Sequence, residues 1–270
     1  KNPDVPVGLM CVAWGGTDIQ SWIRLSEENS GDQFFTPSSG AIYNNHVAPL
    51  VNYQIAGILW YQGENDWNRT DMYSEAFPIL IDDYRRLWGC EDLPFFYVQL
   101  ARYDDANSFE QDLTGIREEQ RKTLDRVATS ENVGMVVSLD TDQNTYTDIH
   151  PAGKEILAHR LFLLAENMIF GETDVVCQGP LFESAEIEGD KIVITFRPDT
   201  IGTGLQVQDL EGQSSGGKLQ EFEVCGPEGT FVPATAEIIG DTVEVIIPDD
   251  IENPSAVRYA VSKVPENPNL

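Results

Sequence analysis

No apolar stretch in this chain approaches the ~18 residues that a bilayer-spanning helix needs, so no such helix is expected. Positive charge is scarce: 17 Lys and Arg stand against 45 Asp and Glu, a net charge of −28. Such a surface repels phosphate backbones and anionic headgroups, so neither nucleic acid nor a membrane is an expected partner. Cysteine is sparse. Cys11, Cys90, Cys177 and Cys225 form no Cys-x-x-Cys pair, which speaks against a zinc site. A Gly-x-Ser-x-Gly elbow is absent, so the sequence offers no obvious activated serine. Ser21, Ser26, Ser38, Ser39, Ser74, Ser108 and Ser138 all lack the turn glycines and the strand-to-helix position. Cys11 sits in an apolar run, where burial as a small hydrophobe is the expectation.

What is present fits a packed protein of 270 residues, 41% of them hydrophobic, enough for one large or two modest domains. Four apolar runs recur in the first half: Val5–Ala13, Ile55–Tyr61, Pro94–Ala101 and Val133–Leu139. They lack polar alternation, as strands buried on both faces do. Helical stretches lie between and after them: 41–53, 71–88 with a kink expected at Pro78, 108–127 capped by Asn107-Ser108, and 152–168. In the last, Leu157, Leu161, Leu164 and Met168 share one face, and Pro151 suits a first turn. This alternation implies a parallel sheet with both faces covered, and sites in such sheets form at the carboxyl ends of the strands. Past residue 176 the pattern changes to short alternating runs such as Lys191–Phe196 and Thr242–Ile247, which read as a small antiparallel β-sandwich. The expected division is 1–175 and 176–270. The loop 211–217 is Gly/Ser-rich and carries no chemistry.

There are three histidines. His46 and His159 fall within helical stretches, where packing or surface placement is the simplest reading. His150 lies in a loop after a strand and before a helix, two residues beyond Asp148. A carboxylate there can accept the Nδ1 proton, fix the tautomer and stabilise imidazolium. The alternative is that Asp148 only caps the helix. The second constellation is Trp60-Tyr61-Gln62-Gly63-Glu64-Asn65-Asp66. Gln62 or Asn65 can donate an N–H to a developing oxyanion, and the Gly15-Gly16 backbone can reach the same point. Two tight turns around a buried Trp, with Glu64 in a structural ion pair, is the competing account. Trp14, Trp22, Trp60, Tyr61 and Trp67 collect near this rim, as sugar platforms or as core.

These segments resemble the sialate O-acetylesterase family, a branch of the SGNH (GDSL-like) hydrolases. The matching stretches are Val5–Leu9, Gly15–Thr17 with Trp22, Ala48–Leu50, Gly57–Glu64, Val98–Leu100, Arg117–Gln120, Asp148–Lys154 with Arg160-Leu161, and, in the tail, Gly179–Leu181, Val257–Tyr259 and Pro265–Leu270. The resemblance implies an α/β, three-layer SGNH-hydrolase-like domain, here lacking its first strand, followed by the β-sandwich. It implies serine-type removal of acetyl groups from O-acetylated sugars, sialic acid first and acetylxylan as an alternative, with no metal and no organic cofactor. Carried over by position, His150 is the general base, Asp148 its orienting partner, and Gly16 and Gln62 parts of the oxyanion hole; Glu64 and Asn65 line the substrate side. The wider superfamily places an Asp three residues before the His, where this chain has Thr147, which leaves Asp140 and Asp142 as alternatives. The family's nucleophile lies in a Gly-Gln-Ser-Asn block upstream of the Val-Pro-Val-Gly strand. Because Lys1 is not Met and stands only four residues before that strand, an N-terminal segment or a partner chain is expected to supply the serine. A non-catalytic carbohydrate-binding fragment is the rival of another class. The compartment is open, with an extracytoplasmic one expected.

Overall fold

The computed structural model describes residues 6–26, 39–105, 111–127, 131–141, 146–207, 218–268 and 270. Three parallel strands, β1 (Ile58–Trp60), β2 (Phe95–Val98) and β3 (Val133–Val136), lie in the order β1-β2-β3, with Trp60 opposite Tyr97 and Tyr97 opposite Met135. Every residue of β2 and β3 is buried. The reason is visible in the pleat. Phe95 and Tyr97 enter one hydrophobic cluster, whereas Phe96 and Val98 enter another on the opposite face.

Helix α1 (Thr70–Trp88) covers the first face with Tyr73, Ala76, Phe77, Leu80, Ile81 and Tyr84, spaced as one helical stripe. It is a continuous helix with Pro78 inside it, and it ends at Gly89, whose left-handed φ of 63° caps the last turn. Helix α2 (Thr114–Arg126) joins the same face through Ile116 and Leu124. Helix α3 (Lys154–Met168) covers the other face through Leu157 and Leu164, with Leu161 and Met168 packed beside them. Helices therefore flank the sheet on both sides, as the periodicity implied. Asn107 and Ser108, the expected cap of α2, lie outside the described residues.

The strand expected over Val5–Ala13 does not form in its described part, residues 6–13. Residues 6–13 make no ladder, and Val7 and Leu9 are 83% and 88% exposed. An apolar run becomes a strand only when its backbone N–H and C=O groups find a partner, and among the described residues none pairs with this run. Among the described residues nothing pairs with the side of β1 away from β2, and Leu59 is 61% exposed. Cys11, expected to be buried, is exposed for the same reason. The expected helix over 41–53 is also a shorter affair. A π turn (Tyr43–Val47) gives way to a 3-10 turn (Ala48–Leu50), because Pro49 cannot continue an α-helical ladder.

The remaining strands are antiparallel. They are β4 (Phe182–Glu188), β5 (Lys191–Phe196), β6 (Phe222–Cys225), β7 (Phe231–Pro233), β8 (Ala236–Ile239), β9 (Thr242–Ile246) and β10 (Ala256–Tyr259). One sheet has the order β4-β5-β9-β8 and the other β10-β6-β7. Ile192, Ile194, Phe196, Val243 and Val245 from the first meet Phe222 and Val224 from the second in one core, which makes the sandwich. The loop 211–217 lies outside the described residues. Two buried arginines tie the C-terminal tail to the parallel sheet. Arg117 donates to the carbonyls of Ala101, Ser262 and Lys263, and Arg102 to those of Pro265 and Glu266.

Candidate active site

Four loops converge at the carboxyl ends of the parallel strands. Gln62–Asp66 follows β1, Arg102–Asp104 follows β2, Ser138–Thr141 follows β3, and residues 146–153 lead into α3. The His150 loop is held from two sides. The Asp104 N–H donates to Tyr146 O at 2.9 Å, and the Gly153 N–H donates to Thr141 O at 2.8 Å. Ile149 packs onto the main hydrophobic cluster, anchoring the residue beside the imidazole.

His150 and Asp148 are in contact. Nδ1 lies 3.3 Å from Asp148 Oδ1, and the same carboxylate oxygen accepts the His150 backbone N–H at 2.8 Å. The imidazole side chain is 82% exposed, so Nε2 is open to a reactant. Asp140, the alternative partner, is held elsewhere: its carboxylate is paired with both terminal nitrogens of Arg160. Asp142 lies outside the described residues. His46 packs against Trp14, ring centroids 5.3 Å apart, and His159 is exposed on α3.

Glu64 is half-buried. Burial pushes its carboxyl above the usual carboxylate range, while its own and the Gly63 backbone N–H groups, His150 and Lys154 pull the other way. It therefore shares an electrostatic environment with His150, which the sequence spacing did not show. Lys154, given no role by the sequence, sits with Nζ 4.7 Å from the Tyr61 ring centroid. Burial lowers its pKa, opposed by Glu64 and Asp148. Asn65 is exposed beside Glu64.

Gln62 points inward. Its Nε2 donates to Thr17 O at 3.2 Å and to Asp66 Oδ2 at 2.6 Å, which uses both amide protons. Its backbone carbonyl accepts from Tyr73 Oη and Gln120 Nε2. Gly16 has a left-handed φ of 71° and open space where a Cβ would be, so a ligand can approach its backbone. Among the described residues, His150 contacts Asp148, and Gln62 bonds to the loop that carries Gly16. Of the aromatics, Trp22 and Trp60 are core, packed edge to face with centroids 5.5 Å apart; Trp67 packs partly buried against that core, and Trp14 is 57% exposed. Ser138 lies on the rim but is fully buried, with its hydroxyl donated to Gln99 O. No group of three or more His, Cys, Asp or Glu suited to a metal ion occurs among the described residues.

A family model described as carbohydrate esterase, sialic acid-specific acetylesterase matches residues 1–164. The chain belongs to this family. The sialate O-acetylesterase of Homo sapiens is 28% identical to it, over 94% of this chain and 52% of that protein. The sialate O-acetylesterase of Mus musculus is also 28% identical, over 82% of this chain and 48% of that protein. The crystal structure of a carbohydrate acetylesterase from Xanthomonas citri superposes with a TM-score of 0.78 at 34% identity, covering 96% of this chain and 56% of that one. The chain spans about half the length of the relatives it matches.

Proposed function

We propose that this chain is part of a carbohydrate O-acetylesterase that hydrolyses acetyl esters on sialic acid through a serine acyl-enzyme. The observation that carries the reading is the exposed His150 imidazole with Asp148 at its Nδ1 and Glu64 in the same electrostatic environment; the loop that carries Gly16 is bound to the turn after β1 through Gln62. In this reading Nε2 takes the proton of a serine hydroxyl as its oxygen attacks the acetyl carbonyl, and Asp148 holds the imidazolium that results. Collapse of the tetrahedral intermediate breaks the acetyl–sugar C–O bond, and Nε2 returns the proton to the departing sugar oxygen. Water then adds to the acetyl-enzyme by the same relay and releases acetate. Backbone N–H at Gly16 faces the developing oxyanion, and Glu64 and Asn65 border the sugar.

The hydroxyl in this reading comes from a serine outside the described residues. Among the described residues nothing pairs with the side of β1 away from β2, which leaves that edge able to take a further strand. Substrate class is tested by assaying the enzyme that contains this chain on O-acetylated sialic acid and on acetylated xylan. Acetate release from the sialic acid, at a kcat/KM at least tenfold above that for the xylan, is expected. The reverse order would reassign the sugar. Sugar binding without acetate release would make the chain a binding fragment.

A further inference from the structure

Asp66 is fully buried and takes no part in the relay above, yet it accepts three hydrogen bonds. Oδ2 receives the Ile19 backbone N–H at 2.9 Å and Gln62 Nε2 at 2.6 Å; Oδ1 receives Arg69 Nη2 at 2.7 Å. Arg69 also donates Nη1 to Gln20 Oε1 at 3.2 Å and lies 3.4 Å from Asp18 Oδ2. Gln62 completes the link by donating to Thr17 O. Four residues of the 17–20 segment are thus bound to the turn after β1 through one buried carboxylate and its two side-chain partners. No strand pairing joins these two loops.

Ahead of Gly16 the contacts are ring and apolar ones: Trp14 packs on His46 and Val12 on the main hydrophobic cluster. Residues 6–13 enter no strand pairing among the described residues, and the side-chain bonds next to the glycines run within the loop itself: Thr17 Oγ1 to Trp14 O and Trp22 Nε1 to Thr17 Oγ1. The hydrogen bonds that tie the Gly15-Gly16 turn to the turn after β1 therefore come from its C-terminal side. A buried carboxylate costs free energy that an apolar side chain of similar volume would not. Here it does what an apolar residue cannot: it accepts the orphan N–H at the start of the 19–22 turn and an amide and a guanidinium from the other loop at once.

We infer that Asp66 is a positioning residue that fixes the Gly16 N–H at the rim, and that Gln62 serves as a strut of this clamp and not as the oxyanion donor. This rests on the esterase reading for its catalytic consequence, but the clamp itself is read without turnover. The experiment compares the chain with Asp66→Asn and Gln62→Leu variants by amide hydrogen exchange, and the enzyme containing each by steady-state kinetics on an acetyl ester. Asp66→Asn is expected to speed exchange at Ile19 at least tenfold while amides in β2 and β3 keep their protection. In the enzyme, kcat falls about 100-fold with KM little changed, as a misplaced oxyanion donor requires. Gln62→Leu leaves Asp66 with Ile19 and Arg69. It is expected to keep at least a tenth of wild-type kcat, whereas a true oxyanion donor would cost about 100–1,000-fold. Unchanged Ile19 exchange in Asp66→Asn overturns the clamp, and a 100-fold kcat loss in Gln62→Leu with Ile19 still protected overturns the strut assignment. Should Asp66→Asn fail to fold, Arg69→Met, which removes only the Oδ1 partner, takes its place under the same exchange criterion. A wild-type enzyme that releases no acetate removes the esterase reading and leaves the exchange result to decide the clamp.

Discussion

The parallel sheet and the antiparallel sandwich complete themselves in different ways. In the sandwich, β4 pairs with β5 and β8 with β9 as sequence neighbours, and the two sheets close over an aliphatic core. In the parallel sheet each strand pairs with one that lies dozens of residues away, and among the described residues nothing pairs with the outer side of β1. Antiparallel hairpins carry their own partners, whereas parallel strands depend on distant chain. The candidate site is built on the parallel sheet. Its loops are therefore fixed by buried side chains, Asp66 and Arg117 among them, and not by strand pairing.

The contrast can be broken at the aromatic core first. Phe77 sits at the centre of Tyr73, Trp60, Phe95 and Tyr97, with its ring 4.9 Å from that of Tyr97. Phe77→Ala is expected to cost about 3–5 kcal/mol, and urea unfolding should show the parallel-sheet half melting ahead of the sandwich. A single shared transition with a small shift in midpoint would contradict the separation. Arg117→Met comes next. It strands the carbonyls of Ala101, Ser262 and Lys263 and is expected to cost about 3 kcal/mol, read from the same curves.

Glu64 sharpens the comparison through pH. Its folded carboxyl titrates above the unfolded value because burial disfavours the charge, so the neutral form is the one the fold prefers. The stability it contributes is present below the unfolded pKa and is lost as pH rises through the folded one. The Tm advantage of Glu64→Gln over wild type should therefore grow between about pH 4 and pH 7. A difference that is flat or shrinks over that range would place the carboxylate in a stabilising ion pair instead. The smallest effect belongs to the open edge: Leu59→Thr should change stability by no more than about 0.5 kcal/mol, since Leu59 is already 61% exposed.

Much of this was legible in the residues, for reasons that differ from element to element. The β2 and β3 runs read correctly because both faces of each strand are buried, which leaves an uninterrupted apolar signature. The Leu157 and Leu164 stripe gave α3 its buried face. Val5–Ala13 carried the same apolar signature, yet its described part finds no partner strand among the described residues, and a sequence does not state who pairs with whom. At the rim, the adjacency of Asp148 and His150 is local and visible, whereas the inward turn of Gln62 depends on Thr17, 45 residues away. Asp66 stood in the same block as Gln62 and Glu64. Its one sequence signal was Arg69, three residues on, at ion-pair spacing.

Acetate release by the enzyme that contains this chain, with His150 and with His150→Ala, measures the central claim most directly. A loss of about 1,000-fold or more in kcat, with the fold and sugar binding retained, is the predicted result. A variant that releases acetate at the wild-type rate would contradict it.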